Sequence, residues 1–264
     1  MIFLFSYLAL GAGAGLLAGL LGVGGGLVIV PVLTWLYEAQ GIPAPVILHL
    51  ALGTSLASIM FTSLSSLRAH HDRGAVNWQI FRRVSPGILA GTFFGSWVAA
   101  QLSSRFLKGF FVAFLYYVAL QMLLDKKPEP TRQLPGIPGM IGVGGLIGGI
   151  SSLVGIGGGS MSVPFMVWCN VAMHHAIGTS AAIGFPIALA GAVGYAVNGI
   201  AAGNPVPASI GFVYLPALCG IAIASIMTAP IGARLAHTLP VARLKKAFAL
   251  LLIIMGTRML AGLF

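Results

Sequence analysis

The chain has 264 residues, of which 58% are hydrophobic and only 7% charged, and its mean hydropathy is +1.00. A soluble domain carries about 25% charged residues, so this composition cannot supply a water-facing surface and excludes a large soluble core. The net charge of +10, from 14 Lys and Arg against 4 acidic residues, comes without a basic stripe of interleaved aromatics, so the expected partners are a lipid bilayer and a small solute, and not nucleic acid.

A bilayer crossing takes about 20 apolar residues. Such runs cover residues 3–21, 46–67, 84–102, 106–124, 140–154 together with 160–170, 176–197, 210–233 and 241–263. The expected class is an all-α, polytopic integral membrane protein. The opening MIFLFSYLAL precedes the first basic residue, Arg68, and lacks the charged n-region of a cleavable secretory signal. GAGAG at 11–15, GLLAG at 15–19 and GLIGG at 145–149 have the small-residue spacing of closely packed membrane helices. Cys169 and Cys219 fall in apolar runs and are expected as small buried hydrophobes rather than a zinc site or a disulfide.

After the first run comes GVGGGLVIVP at 22–31, and after the fifth its copy, GIGGGSMSVP at 155–164. Three consecutive glycines break a helix, and a proline five residues later keeps the segment from rejoining a long one. HLALGTS at 49–55 is matched by HHAIGTS at 174–180, and LKGFF at 107–111 more weakly by LKKAF at 244–248. Three phrases in the same order identify a duplicated unit. Between the copies, DKKPEPTRQLPGIP at 125–138 has four prolines and five charges, the composition of an exposed connector. The division is a first repeat over 1–124, a linker over 125–139 and a second repeat over 140–264.

Loop charge bears on how the repeats are oriented. With four full crossings per half, basic residues would divide almost evenly between the two sides. With each glycine phrase as the tip of a re-entrant hairpin, each half crosses three times and the halves are inverted. Arg68, Arg73, Arg82, Arg83, Lys126, Lys127, Arg132, Arg234, Arg243, Lys245 and Lys246 then share one side, against Arg105 and Lys108 on the other. The positive-inside rule favours this arrangement, with the basic loops cytoplasmic. Residues 142–154 would rise about 20 Å, enough to reach mid-membrane, whereas 3–21 at about 28 Å could span.

Unpaired backbone in hydrocarbon survives only inside protein or beside a water-filled cavity. Glycine lets a ligand approach the amides, and the short helix that follows each tip presents free N–H groups and partial positive charge to an anion. Matching interrupted segments in two halves also point to a transporter's substrate site. The candidate substrate residues are therefore Gly24, Gly25, Gly26 and Leu27 in the first half and Gly157, Gly158, Gly159 and Ser160 in the second. The second phrase adds the hydroxyls of Thr54, Ser55, Thr179 and Ser180. If a helix begins near Gly53, Thr54 and Ser55 sit in its first turn and cap free amides; on an unbroken helix His49 and Gly53 share a face and Thr54 points away. His49 and His174 are either solvated interfacial imidazoles or proton-sensitive ligand contacts.

Apart from Glu38, no acidic residue lies in a membrane segment; Asp72, Asp125 and Glu129 are in loops. Cation pathways usually rely on intramembrane carboxylates, so no metal ion or sodium is expected as cargo, and the substrate is most simply a small oxyanion. No Walker A sequence, intramembrane H-E-x-x-H, Asp pair or Ser/His/Asp set is present, and His70-His71-Asp72 reads as a solvated turn. Neither enzyme activity nor a cofactor is expected. The remaining choices are a secondary transporter and an anion channel built on the same tips, and a homo-oligomer is compatible with either.

Through GLLGVGGGLVIVPVL and GTS in the first half and SLVGIGGGSMSVPFM and GTSAA in the second, nearly the whole chain resembles the sulfite exporter TauE/SafE family of membrane transporters. The resemblance implies a plasma-membrane protein of seven or eight spans that moves sulfite, sulfonates or related sulfur oxyanions, mostly by export. These motifs identify the family well and the cargo poorly.

Overall fold

The computed structural model describes residues 2–21, 25–124, 131–204, 206–235 and 241–262. The first half contains α1 (Ile2–Leu21), α2 (Gly26–Ala39), α3 (Ala44–His71), α4 (Trp78–Gln101) and α5 (Ser104–Leu124). The second contains α6 (Ile137–Val154), α7 (Gly159–Trp168), α8 (Met173–Ala201), a hairpin of β1 (Ser209–Ile210) and β2 (Val213–Tyr214), then α9 (Leu215–Leu235) and α10 (Val241–Ala261). Each half is thus a helix, a short helix after the glycine phrase, and three longer helices. Among the described residues, six helices are long and apolar enough to cross a membrane: α1, α3, α5, α6, α8 and α9. The protein is a multi-pass, all-α membrane protein.

Two local expectations change. Helix α6 begins at Ile137, inside the expected linker, because Pro138 fits the first helical turn, where no amide donor is needed. At 18 residues α6 rises about 27 Å, so its length does not mark it as a half-crossing. Pro31 and Pro164 lie inside α2 and α7 and end neither helix. The breaks come from the glycines alone.

The halves interlock. Helix α1 packs along α9 and α6 along α4, which is one pairing with the halves exchanged; α3 packs on its counterpart α8, and α5 on α10. The α3–α8 pair is antiparallel: Gly53 lies beside Tyr195, Leu56 beside Gly191 and Ser63 beside Gly184. The α5–α10 pair is antiparallel too, with Lys108 bonded to the Gly262 carbonyl and Tyr116 to Thr257. Counterpart helices therefore run in opposite senses, as inverted halves require.

These directions bring Arg68, Arg73, Arg82, Arg83, Arg132 and Arg234 to one end of the molecule, hereafter the basic end, through the ends of α3, α4, α7 and α9. Arg105 and Lys108 are at the other. Arg258, inside the last expected span, joins them: it stacks on Trp35 at 4.3 Å, near the Glu38–Lys108 ion pair of 3.6 Å.

Glycines make the long seams. A Cβ on Gly87 or Gly144 would strike the carbonyl of Ile141 or Val84 across the α4–α6 seam, and one on Gly232 the carbonyl of Leu16 across α1–α9. The stripes GAGAG and GLIGG are packing surfaces in this sense, since Gly11 lies against Ile221 and Gly148 against Ile88 and Thr92. Cys169 is buried as expected, but Cys219 is exposed, because it lies on the outward face of α9. Gly142 has no neighbour within 4 Å of an added Cβ, which makes it a control on the same helix as Gly144. Gly144→Ala is expected to lower stability by about 1–3 kcal/mol through overpacking. Gly142→Ala should be neutral or raise it, since Ala is favoured over Gly in a helix by about 1 kcal/mol; thermal unfolding in detergent reads both.

Candidate functional site: the meeting of two glycine tips

Gly25 (φ +70°) precedes α2 and Gly158 (φ +73°) precedes α7, and Gly155 (φ +67°) ends α6. These are left-handed conformations, where a side chain is strained. A Cβ on Gly25 would also come within 2.9 Å of the Ala14 carbonyl. The bonding of α2 starts with Val28 and Ile29 on the Gly25 carbonyl, both at 3.1 Å; that of α7 starts with Met161 and Ser162 on Gly158, at 3.1 and 2.9 Å. The amides of Gly26, Leu27, Gly159 and Ser160 precede those bonds and have no intrahelical acceptor.

The two tips touch. Gly26 lies against Gly155 and Ile156, and Ser55 on α3 donates to the Gly155 carbonyl at 2.8 Å. Gly184 of α8 faces the Gly157 carbonyl, and Ile187 packs over Gly158. Ser55, Ile59, Gly184 and Ile187 stand near the middles of α3 and α8, so the tips meet halfway along the two longest helices. Gly24 lies outside the described residues.

Beside the tips is a cavity of about 20 Å³ lined by Thr62, Ser63, Ser66 and Ser180, with Gly157 and Gly184. That is room for about one water-sized group. Ser162 donates to Ser180 at 2.9 Å, so Ser180 accepts that bond and keeps its own proton. The buried hydroxyls of Ser66, Ser151 and Ser160 have no hydrogen-bond partner among the described residues. Sequence reasoning missed Thr62, Ser63 and Ser66. The available signal was the run TSLSS at 62–66, whose Thr62 and Ser66 continue the helical face of Ser55.

A family model described as sulfite exporter TauE/SafE matches residues 7–259. The chain belongs to this family. A protein of Haemophilus influenzae named "Probable membrane transporter protein" is 39% identical over 97% of this chain and 98% of its own length. "Probable membrane transporter protein YdhB" of Bacillus subtilis is 29% identical, over 93% and 96% respectively. No solved structure matches the chain. Family and relatives are named as transporters, consistent with a protein that moves a solute rather than transforming one.

In this TauE/SafE transporter the GTS phrases lie within unbroken helices, since α3 begins at Ala44 and α8 at Met173. Thr54 and Thr179 therefore cap no helix; each reaches across to the other half. Thr54 Oγ1 accepts from the backbone N–H of Tyr214, just before α9, and Thr179 Oγ1 from that of Asn77, just before α4, both at 2.9 Å. The glycines before them make room for the same segments: Gly53 sits on the Phe212 carbonyl and Gly178 on the Ala75 carbonyl. Tyr37 also donates to Thr54, at 3.2 Å.

The two histidines are not equivalent. His49 is buried, with Nε2 at 3.1 Å from the carbonyls of both Ala99 and Leu102 and Nδ1 at 3.2 Å from Ser104, so it ties α3 to the α4–α5 corner. His174 is exposed, and its ring lies tilted by 41° against that of His175, their centroids 4.1 Å apart. Neither lines the cavity. No group of three or more His, Cys, Asp or Glu that could hold a metal occurs among the described residues. Burial pushes the Cys169 thiol up, with the Arg132 guanidinium pulling the other way.

Replacing Thr54 or Thr179 by Val keeps the shape and removes the acceptor, leaving one N–H of the facing segment unpaired. Each substitution is expected to cost about 1–3 kcal/mol, and Thr→Ser at either position should restore most of it. Thermal unfolding of the four variants checks the reciprocity.

Proposed function

We propose that this transporter carries a small sulfur-containing oxyanion, sulfite or an organosulfonate, across the plasma membrane, with its two halves alternating access to the tips and the basic end cytoplasmic. The observation that carries the reading is the meeting of two helix N-termini at the middle of α3 and α8 beside uncommitted hydroxyls. Amides at Gly25–Leu27 and Gly158–Ser160, with the hydroxyls of Ser160 and Ser180, provide donors and no fixed charge. Each helix end adds the equivalent of about half a positive charge, and a hydrogen bond to a charged group is worth about 1.5–3 kcal/mol. Such a site suits an anion that must also leave.

The alternative polarity lacks support. Glu38 is the one acidic residue within the described helices, and it pairs with Lys108 at the end of the molecule, away from the tips. Inverted halves with antiparallel counterparts support exchange between two openings related by a pseudo-two-fold axis in the membrane plane. Any proton sensitivity of His49 would act through the α4–α5 corner and not on the anion directly.

Purified protein in liposomes tests the reading with sulfite, sulfate, sulfoacetate, taurine and thiosulfate. Saturable flux of a sulfur oxyanion is expected, reduced at least tenfold by Gly25→Leu and by Gly158→Leu in protein that remains folded. Non-saturating flux with single-channel currents would replace the transporter by a channel, and flux of none of these anions would overturn the cargo.

A further inference from the structure

The tips divide the molecule into two unequal ends. From the tips toward the basic end, α3 presents Ile59, Thr62, Ser63, Ser66 and His70 along one helical face, all buried. Four of the five are polar. Thr62, Ser63 and Ser66 line the cavity, and Ala18, Gly157 and Ala181 opposite them are too small to fill it.

In the register that matches Gly53 with Gly178, the α8 positions equivalent to Thr62, Ser63, Ser66 and His70 are Ile187, Ala188, Gly191 and Tyr195. They are buried and packed shut. Leu56 inserts at Gly191, and Tyr195 stands against Gly53 with its hydroxyl donating to the Ser152 carbonyl at 2.9 Å. Toward that end Leu52 covers Gly155, and Tyr37 closes on Thr54. The repeats are therefore matched in backbone but not in chemistry: this face of α3 is hydroxyl-lined, whereas the equivalent face of α8 carries Ile, Ala, Gly and Tyr and is packed shut.

Folding does not account for Ser66. A buried hydroxyl without a partner costs about 1–3 kcal/mol, and Ser66 has none among the described residues. A moving anion does account for it, because the Ser66 hydroxyl can replace one hydrogen bond from water as the ion leaves the amides, and the hydroxyls of Thr62 and Ser63, which donate to Ser225 and to the Met60 carbonyl in this structure, can turn to the ion as it passes. We propose that the Thr62–Ser63–Ser66–His70 face of α3 is the path between the midplane site and the basic end, for a small anion whose oxygens accept hydroxyl hydrogen bonds, and that the structure is the state closed toward the opposite end. The proposal rests on the anion-transport reading above, but the path can be tested without knowing the cargo.

The test uses the full chain with Cys169→Ala and Cys219→Ala, and a membrane-impermeant methanethiosulfonate applied to either face of sealed vesicles. Gln133→Cys marks the basic face and Ala39→Cys the other; both positions are exposed. Ser66→Cys is expected to react from the Gln133 face at least tenfold faster than Ala188→Cys, and its modification should lower anion flux at least tenfold. Thr62→Cys, read the same way, covers the case in which Ser66→Cys does not fold. A Ser66→Cys that is inert from both faces, or reactive only from the Ala39 face, overturns the path. Labelling of Ser66→Cys from the basic face in a protein that carries no sulfur oxyanion would uphold the path and sink the cargo; saturable sulfite flux with an inert Ser66→Cys would do the reverse.

Discussion

A backbone broken in the middle of a membrane must be satisfied by the protein around it, since unpaired peptide groups in hydrocarbon cost several kcal/mol each. Much of this fold answers that constraint. Ser55 takes up the Gly155 carbonyl at 2.8 Å, the carbonyls of Gly25 and Gly158 start the next helices, and α3 and α8 flank the tips. The groups left over include the first amides of α2 and α7 and the hydroxyls of Ser66, Ser151 and Ser160.

The inverted arrangement lets each half complete the other. Thr54 and Thr179 hold matching segments of the facing half by one backbone bond each, and Gly53 and Gly178 provide the space that lets those segments approach. Trp35 and Trp168 occupy the same place in the two glycine segments, and each carries a stacked arginine, Arg258 at 4.3 Å and Arg132 at 4.7 Å. One pair lies at each end of the molecule. The outer end of each short helix is thus anchored by a cation–π contact, while its inner end holds the tip.

The symmetry stops at side-chain chemistry. Where α3 carries Thr62, Ser63 and Ser66, the equivalent positions of α8 carry Ile187, Ala188 and Gly191. The packing on the two sides of the tips is therefore unequal.

The membrane class, the repeated phrases and the helix breaks at the glycines were legible in the residues, because hydropathy, repetition and helix-breaking glycines are local properties. The opposite senses of the halves were also foreshadowed, by the distribution of Arg and Lys between loops. The helix that opens the second half was cut short, since Pro138 reads as connector unless its place in a first turn is known. Roles that depend on partners distant in the chain were decided only by the tertiary structure. The GTS phrase reads locally as a possible cap, yet Thr54 and Thr179 spend their acceptors on Tyr214 and Asn77 of the other half. His49 and His174 share a motif, yet one is bonded within a helix corner and the other is exposed. Ser66 is an ordinary serine in sequence and becomes distinctive only where packing buries its hydroxyl beside the cavity without a partner among the described residues.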